Sequence, residues 1–240
     1  MSARNSLLTI SAGTLLCATT LAHGIILYTN TSPNRPIGQQ SYDNPGPPTL
    51  VLDDVLIDNA LNPLMQPIEV TRIMFGITRL PGAVSVTISP YYAEVADDGP
   101  DPDQFADIIG VPIPAATPVT LPARSPSAPE IIDQVTFGNG ITPLFSLNPN
   151  FTDQPTFGEF LLGITFSNAD FTNGWTLSTE NPNQDGFWDW DLVAGTYQTH
   201  TFNAPNKGTL YMVVEGNIIP EPAAAGVILL GALLGRRRRT

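Results

Sequence analysis

The stretch Phe157–Ser167, FGEFLLGITFS, places Phe160, Leu162, Ile164 and Phe166 at every second position. A period of two puts all four side chains on one side of an extended chain, whereas a helix needs apolar positions every three or four residues. The same alternation runs through Ala83–Tyr92, AVSVTISPYY, where Val84, Val86 and Ile88 oppose Ser85, Thr87 and Ser89. It returns in Gly208–Gly216, GTLYMVVEG, with Leu210, Met212 and Val214 on one side and Thr209, Tyr211, Val213 and Glu215 on the other. Further β-branched or apolar runs lie at 25–28, 50–57, 68–78, 131–137, 174–178 and 187–193. Between the runs stand turn clusters such as SYDNPGPP (41–48), RLPG (79–82), ADDGPDPD (96–103) and FGNG (137–140). In these, Pro fixes φ, Gly supplies positive φ, and Asp or Asn bonds the local backbone. Nine or ten short strands without an amphipathic helix predict an all-β fold over residues 23–217. The expected form is a single antiparallel β-sandwich, jelly-roll-like, with the Pro-rich piece 110–129 as a loop within it.

A chain of 240 residues is long enough for one sizeable core. Only 13% of residues are charged, so Ser, Thr, Asn and Gln carry much of the solvation, as suits an extracellular all-β domain. The net charge of -12 understates the acidity of the folded part, because Arg4 and Arg236–Arg239 sit at the two ends. Between them, 22 acids face only Arg35, Arg72, Arg79, Arg124 and Lys207, a balance of −17. Such a surface repels nucleic acid and anionic lipid, and no nucleic-acid partner is expected. The one cysteine, Cys17, lies in the amino-terminal apolar run, so the domain is expected to stand without disulfides or zinc–cysteine sites.

Both ends read as addresses. Residues 1–22 hold Arg4 followed by an apolar stretch from Leu7 to about Leu21, with small residues at Thr20 and Ala22. This predicts a signal peptide cleaved between Ala22 and His23. A lipid-modified Cys17 would want a small residue before it, and Leu16 stands there. At the other end, Ala223–Gly235 would form a helix about 20 Å long against a hydrocarbon core of about 30 Å, a short transmembrane segment. Ile218 and Ile219 would add depth on one side. Arg236, Arg237, Arg238 and Arg239 would remain cytoplasmic, which leaves the domain outside.

Ile219-Pro220-Glu221-Pro222, the short apolar segment and the terminal arginines resemble, in that order, the PEP-CTERM sorting signal of exported bacterial proteins. Position 219 is Ile where that family often has Val. The resemblance implies that Pro220, Glu221, Pro222 and Arg236–Arg239 are recognised by a membrane-embedded exosortase-type protease. That partner, together with the secretion machinery, would pass the protein from an inner-membrane intermediate to the cell surface or extracellular matrix of a Gram-negative-type bacterium. The prolines flanking Glu221 keep the backbone extended where such a protease would cut. The segments YDNPGPP, LDDV, GWTLS and FWDWD, in that order, are similar to ectodomains of some PEP-CTERM proteins.

Catalytic arrangements are thinly supplied. His23 falls at the expected cleavage point and His200 stands alone in TYQTHTFN, so Ser–His and Cys–His nucleophiles have little to build on. Paired carboxylates remain as glycosidase candidates at Asp53/Asp54, within Asp97–Asp107 and within Asp185–Asp191, although Asp beside Gly and Pro ordinarily serves turns. In NPNQDGFWDWDL, Asn181, Asn183, Asp185, Gly186 and Asp189 match positions one, three, five, six and nine of an EF-hand-like calcium loop. Leu192 replaces the twelfth-position Glu, and an acidic solvated loop explains the same residues. Trp188 and Trp190 alternate with Asp189 and Asp191, which puts two indoles on one face of a strand, either as core packing or as a platform for sugar rings. The expected function is that of a non-catalytic, exported envelope or matrix protein associated with exopolysaccharide. A secreted carbohydrate-binding module and a glycan-active hydrolase are the alternatives.

Overall fold

The computed structural model describes residues 24–31, 41–57, 60–62, 66–94, 111–147, 158–178, 186–201 and 209–219. Within them the chain is all-β, with fifteen strands, no helix and two antiparallel sheets. The expected signal peptide with Ala22 and His23, Asp97–Asp107, Asn181, Asn183, Asp185, the apolar segment 223–235 and the expected sorting residues Pro220, Glu221, Pro222 and Arg236–Arg239 lie outside the described residues. Among the described residues no helix is long and apolar enough to cross a membrane.

The first sheet is organised by β4 (Ile68–Arg79). One edge of β4 pairs with β15 (Met212–Ile218) and then β11 (Asp170–Ser178); the other pairs with β9 (Phe145–Leu147) and then β8 (Ile131–Gly138). Beyond β15 lies β1 (Ile25–Asn30), while β2 (Ser41–Asn44) and β14 (Thr209–Leu210) pair with β11. A bulge lets β4 serve one core along its whole length. Glu215 faces Arg72 and Gly216 faces Val70, so Thr71 is the extra residue. The phase of the pleat shifts there, and Ile68 and Val70 come to the same buried side as Ile73, Phe75 and Ile77.

The second sheet runs β13 (Thr196–Thr201), β12 (Gly186–Asp191), β3 (Thr49–Ile57), β10 (Gly158–Phe166), β5 (Val86–Glu94). Two short strands, β6 (Val111–Pro112) and β7 (Val119–Leu121), complete it against β5. The two sheets share one core. Leu27, Ile73, Phe75 and Val214 from the first sheet and Val51, Val55, Ile88, Phe160, Leu162, Ile164 and Phe166 from the second belong to one buried cluster. The four residues at alternate positions of FGEFLLGITFS all lie in it, as their spacing requires. Trp175 sits at its centre, edge-on to Phe75 at a ring separation of 4.9 Å, and satisfies its indole N–H on the carbonyl of Tyr211 at 3.0 Å. That carbonyl also accepts the N–H of Gly76, whose missing side chain leaves room for the Tyr211 ring.

Several expectations are corrected. Val84 does not join Val86 and Ile88 on a strand: β5 begins at Val86, and Val84 lies in the preceding loop, 42% exposed, its N–H bonded to the Thr172 hydroxyl. The piece 110–129 is not loop throughout, since β6 and β7 bond to β5. The strand expected over 187–193 ends at Asp191, where a turn begins. Ile218 is the last residue of β15, opposite Ile68, and the N–H of Ile219 bonds the Pro67 carbonyl at 2.8 Å. The β-structure therefore runs past residue 217, the expected end of the β-domain.

Candidate functional site

Among the described residues, the side chains that chemistry singled out in the sequence lie on the second sheet, on three different surfaces. On its outer face the pleat sends Trp188 and Trp190 away from the shared core, because Phe187, one residue before Trp188, is buried in it. Trp188 pairs with Leu52 of β3, Leu52 with Gly163 of β10, and Gly163 with Tyr91 of β5. The neighbouring row runs Trp190, Leu50, Thr165, Ser89. Leu50, Leu52 and Leu161 are wholly buried and form a second apolar cluster, against which Trp188, Trp190 and Tyr91 pack half-buried. Adjacent strands lie about 4.8 Å apart, so the Trp188 and Tyr91 positions are separated by about 14 Å across the sheet. Gly163 is needed between them: a Cβ there would come within 2.5 Å of both the Leu52 side chain and the Val51 carbonyl. The result is an outer surface with aromatic side chains at its two flanks and hydroxyls of Thr165, Ser89 and Thr87 along one end.

On the inner side of the β12–β13 hairpin, Phe187 stacks on His200 at 4.8 Å, as their direct cross-strand pairing dictates. His200 Nε2 lies 2.9 Å from Asp189 Oδ2, and both side chains are mostly covered. The histidine expected to stand alone therefore has a carboxylate to orient it. Asp189 is accordingly not a loop ligand; it sits within a β-strand, which breaks the EF-hand-like register at its ninth position. Among the described residues no group of three or more His, Cys, Asp or Glu could hold a metal ion. Asp191, at the strand end, accepts the N–H groups of Val193 and Ala194 at 2.8 and 2.9 Å, and these bonds hold its carboxyl below the usual carboxylate range.

The third surface is interior. Asp53 and Asp54 occupy successive positions of β3 opposite Leu162 and Leu161, which belong to the shared core and the outer cluster respectively. Asp53 is sealed in the core, where Oδ2 accepts the Leu210 N–H at 2.5 Å and Oδ1 the Asp54 N–H at 3.0 Å. Burial pushes its carboxyl well above the usual range, and the charge and hydrogen bond of Asp54 push it further, against the opposing pull of the two N–H groups. A glycosidase needs both carboxyls on a cleft that a sugar can enter. Asp53 has no such access, so this pair is not placed for that chemistry.

Sequence reasoning passed over Tyr91 and the leucines beneath it. Their alternation, Ser89 then Tyr91 and Leu50 then Leu52, was legible; their position beside Trp188 depends on strand pairings between distant parts of the chain. It also passed over Arg79, which is 2% exposed. Its guanidinium donates to Asn173 Oδ1 at 2.8 Å, the Pro122 carbonyl at 2.6 Å, and Asp133 Oδ2 and the Val84 carbonyl at 3.3 Å. Comparison with protein-family models, with characterised proteins and with solved structures gives no match.

Proposed function

We propose that this chain is an exported, non-catalytic β-sandwich protein, delivered by its terminal signals and displayed in the envelope or extracellular matrix among exopolysaccharide. The observation that carries the reading is how far the β-structure follows the chain toward its carboxyl-terminal motif. Among the described residues the backbone hydrogen bonding reaches Ile219, which directly precedes Pro220-Glu221-Pro222 in the sequence, and this supports reading that motif as an address that follows the domain. Ile25 pairs with Gly216, which brings both routes toward the terminal segments out at one end of the first sheet. That placement suits a domain held by, or released from, a single bilayer.

The sandwich is of the jelly-roll kind. Taking β1, β3, β4, β5, β7, β8, β10 and β15 as eight successive strands, one sheet reads 1-8-3-6 and the other 2-7-4-5, the order of two interleaved Greek keys. The hairpin β12–β13 and strands β2, β6, β9, β11 and β14 are additions to that frame. Sequestration of Asp53 supports a binding rather than a hydrolytic role. In the native host, wild-type protein is expected at the surface or in the medium, and a variant with Pro220, Glu221 and Pro222 all changed to Ala in the inner-membrane fraction. Identical distribution of the two would overturn the sorting scheme.

A second reading, that the domain binds glycan directly, is favoured by the outer aromatic surface of Trp188, Trp190 and Tyr91. Indole and phenol faces stack on pyranose rings, and the flanking hydroxyls bond sugar hydroxyls. Native electrophoresis through gels containing a neutral polysaccharide should retard the protein, and Trp188→Ala should lose the retardation while keeping the β-type circular dichroism. Unchanged mobility of the wild type in every polysaccharide tried would remove this reading and leave the first intact.

A further inference from the structure

Three turns lie side by side at the end of the sheets remote from Ile25 and Ile219. The β12–β13 turn touches the segment before β3 through the Leu192 N–H, which bonds the Pro48 carbonyl at 3.2 Å. Gly46 in that segment lies against the backbone of Ala169 in the β10–β11 turn. The turns carry Val193, 83% exposed, and the exposed Leu192, Pro47 and Pro48, and Phe171, 80% exposed, follows the β10–β11 turn at the irregular start of β11. An apolar side chain with four-fifths of its surface in water stands clear of its neighbours, so the patch is convex. Single exposed hydrophobes need no explanation, but a contiguous group does.

The protrusions are also held in place. Asp191 Oδ1 accepts the N–H groups of Val193 and Ala194, and the Gly195 N–H returns to the Asp191 carbonyl at 2.8 Å, with Gly195 at a φ of 66°. Asp170 Oδ1 takes the Thr172 N–H at 2.8 Å and the Thr172 hydroxyl at 2.7 Å. Across residues 45–48, 167–172 and 191–195, Asp170 and Asp191 are the charged residues, and each turns its carboxylate onto its own turn.

We propose that this tip docks onto an uncharged or zwitterionic lipid surface. A fluid apolar phase accommodates a convex ridge, whereas two such ridges pressed together bury little of each other. Over residues 23–219 there are 21 acids against five bases, and this −16 balance excludes anionic headgroups as the preferred surface. Phe and aliphatic side chains on fixed turns enter the headgroup boundary without further ordering of the chain. Because the tip points away from the end where Ile25 and Ile219 leave, the surface it meets is a second bilayer, facing the one that the terminal segments enter. That last clause rests on the export reading; the tip itself does not.

The test uses full-length protein with Cys17→Ser and an environment-sensitive dye on Val193→Cys, or on Thr136→Cys at an exposed site of β8 as the control. Phosphatidylcholine vesicles with a quencher in the acyl chains should shift and quench the dye at 193 and leave that at 136 unchanged, and the vesicles should cluster. Phe171→Ser should raise the lipid concentration needed for the shift by roughly tenfold and abolish clustering, without changing circular dichroism. Phosphatidylglycerol vesicles at low salt should give the weaker shift. Water-like emission at 193 from vesicle-bound protein overturns the proposal. So does a shift at 193 that depends on protein concentration and needs no lipid, which would make a second copy the occupant. A shift at 193 without clustering supports the tip while removing the two-bilayer geometry, and with it the reading of the ends.

Discussion

Replacing Arg79 with Ala should destabilise the domain by about 3 kcal/mol, from the low part of the range for removing one member of a buried ion pair. The figure follows from what is left behind. Asn173 Oδ1, on a residue 2% exposed, loses its donor, at a cost of about 1–3 kcal/mol. Asp133 is 31% exposed and rehydrates, which removes most of the penalty an orphaned buried charge would carry. The Pro122 and Val84 carbonyls belong to exposed residues, and Asn173 Nδ2 still donates to Val84, so water and that amide limit their loss. Cavity formation at a fully enclosed side chain restores part of what those discounts remove. For a domain of this size about 3 kcal/mol lowers the melting temperature by roughly 6–12 °C. Urea unfolding followed by circular dichroism should show a lower midpoint at unchanged slope. Arg79→Lys should fall between, because one ammonium cannot reach four acceptors held by separate segments. A loss under about 1 kcal/mol for Arg79→Ala would refute the view that this guanidinium ties β4, β11 and the loops at Val84 and Pro122 together.

Asp53 has a folded-state pKa raised above its unfolded value, so it holds its proton longer in the native state. Its contribution is largest below the unfolded pKa, about 3.9, and declines as pH rises toward the folded pKa, by up to about 1.4 kcal/mol per pH unit. A stability–pH curve should therefore be flatter across that window for Asp53→Asn, and an unchanged slope would contradict the assignment. Gly163→Ala should destabilise by roughly 1–3 kcal/mol, since the new Cβ meets a backbone carbonyl that cannot move aside; thermal melting checks this. Millimolar calcium should leave the melting temperature unchanged, with Asp189 held by His200 on a strand. A calcium-induced rise that Asp185→Ala removes would reinstate a site there.

Strand existence was legible from alternation in β5, β10 and the β14–β15 segment, and from continuous apolar or β-branched runs in β3 and β4; β3 reads as such a run because both its faces are buried. What alternation cannot carry is pairing. The Thr71 bulge, the apposition of Trp188 with Leu52, and the pairings of β2 with β11 and of β9 with β4 all depend on partners far away in the chain. Very short strands have too few residues to establish a period. Phe171 and Val193 were misleading in the opposite direction, since an apolar residue reads as buried, and only the irregular start of β11 and the turn after β12 expose them. Arg79 reads as a solvated charge beside the RLPG turn, and its burial requires four acceptors converging from other segments. The buried Asp53 carried a visible signal, an acid inside the apolar run LVLDDVLI, but the identity of its donor at Leu210 did not. Of the candidate surface, the alternating indoles were readable and the leucine bed beneath them was not.

The most direct measurement is the intact mass of the protein isolated from its native host. If the two ends are addresses and the β-domain is the cargo, the chain should begin at His23 and end near Pro220–Pro222, without Arg236–Arg239. A species of full mass, retaining both Met1 and Arg239 and resident in the inner membrane, would contradict it.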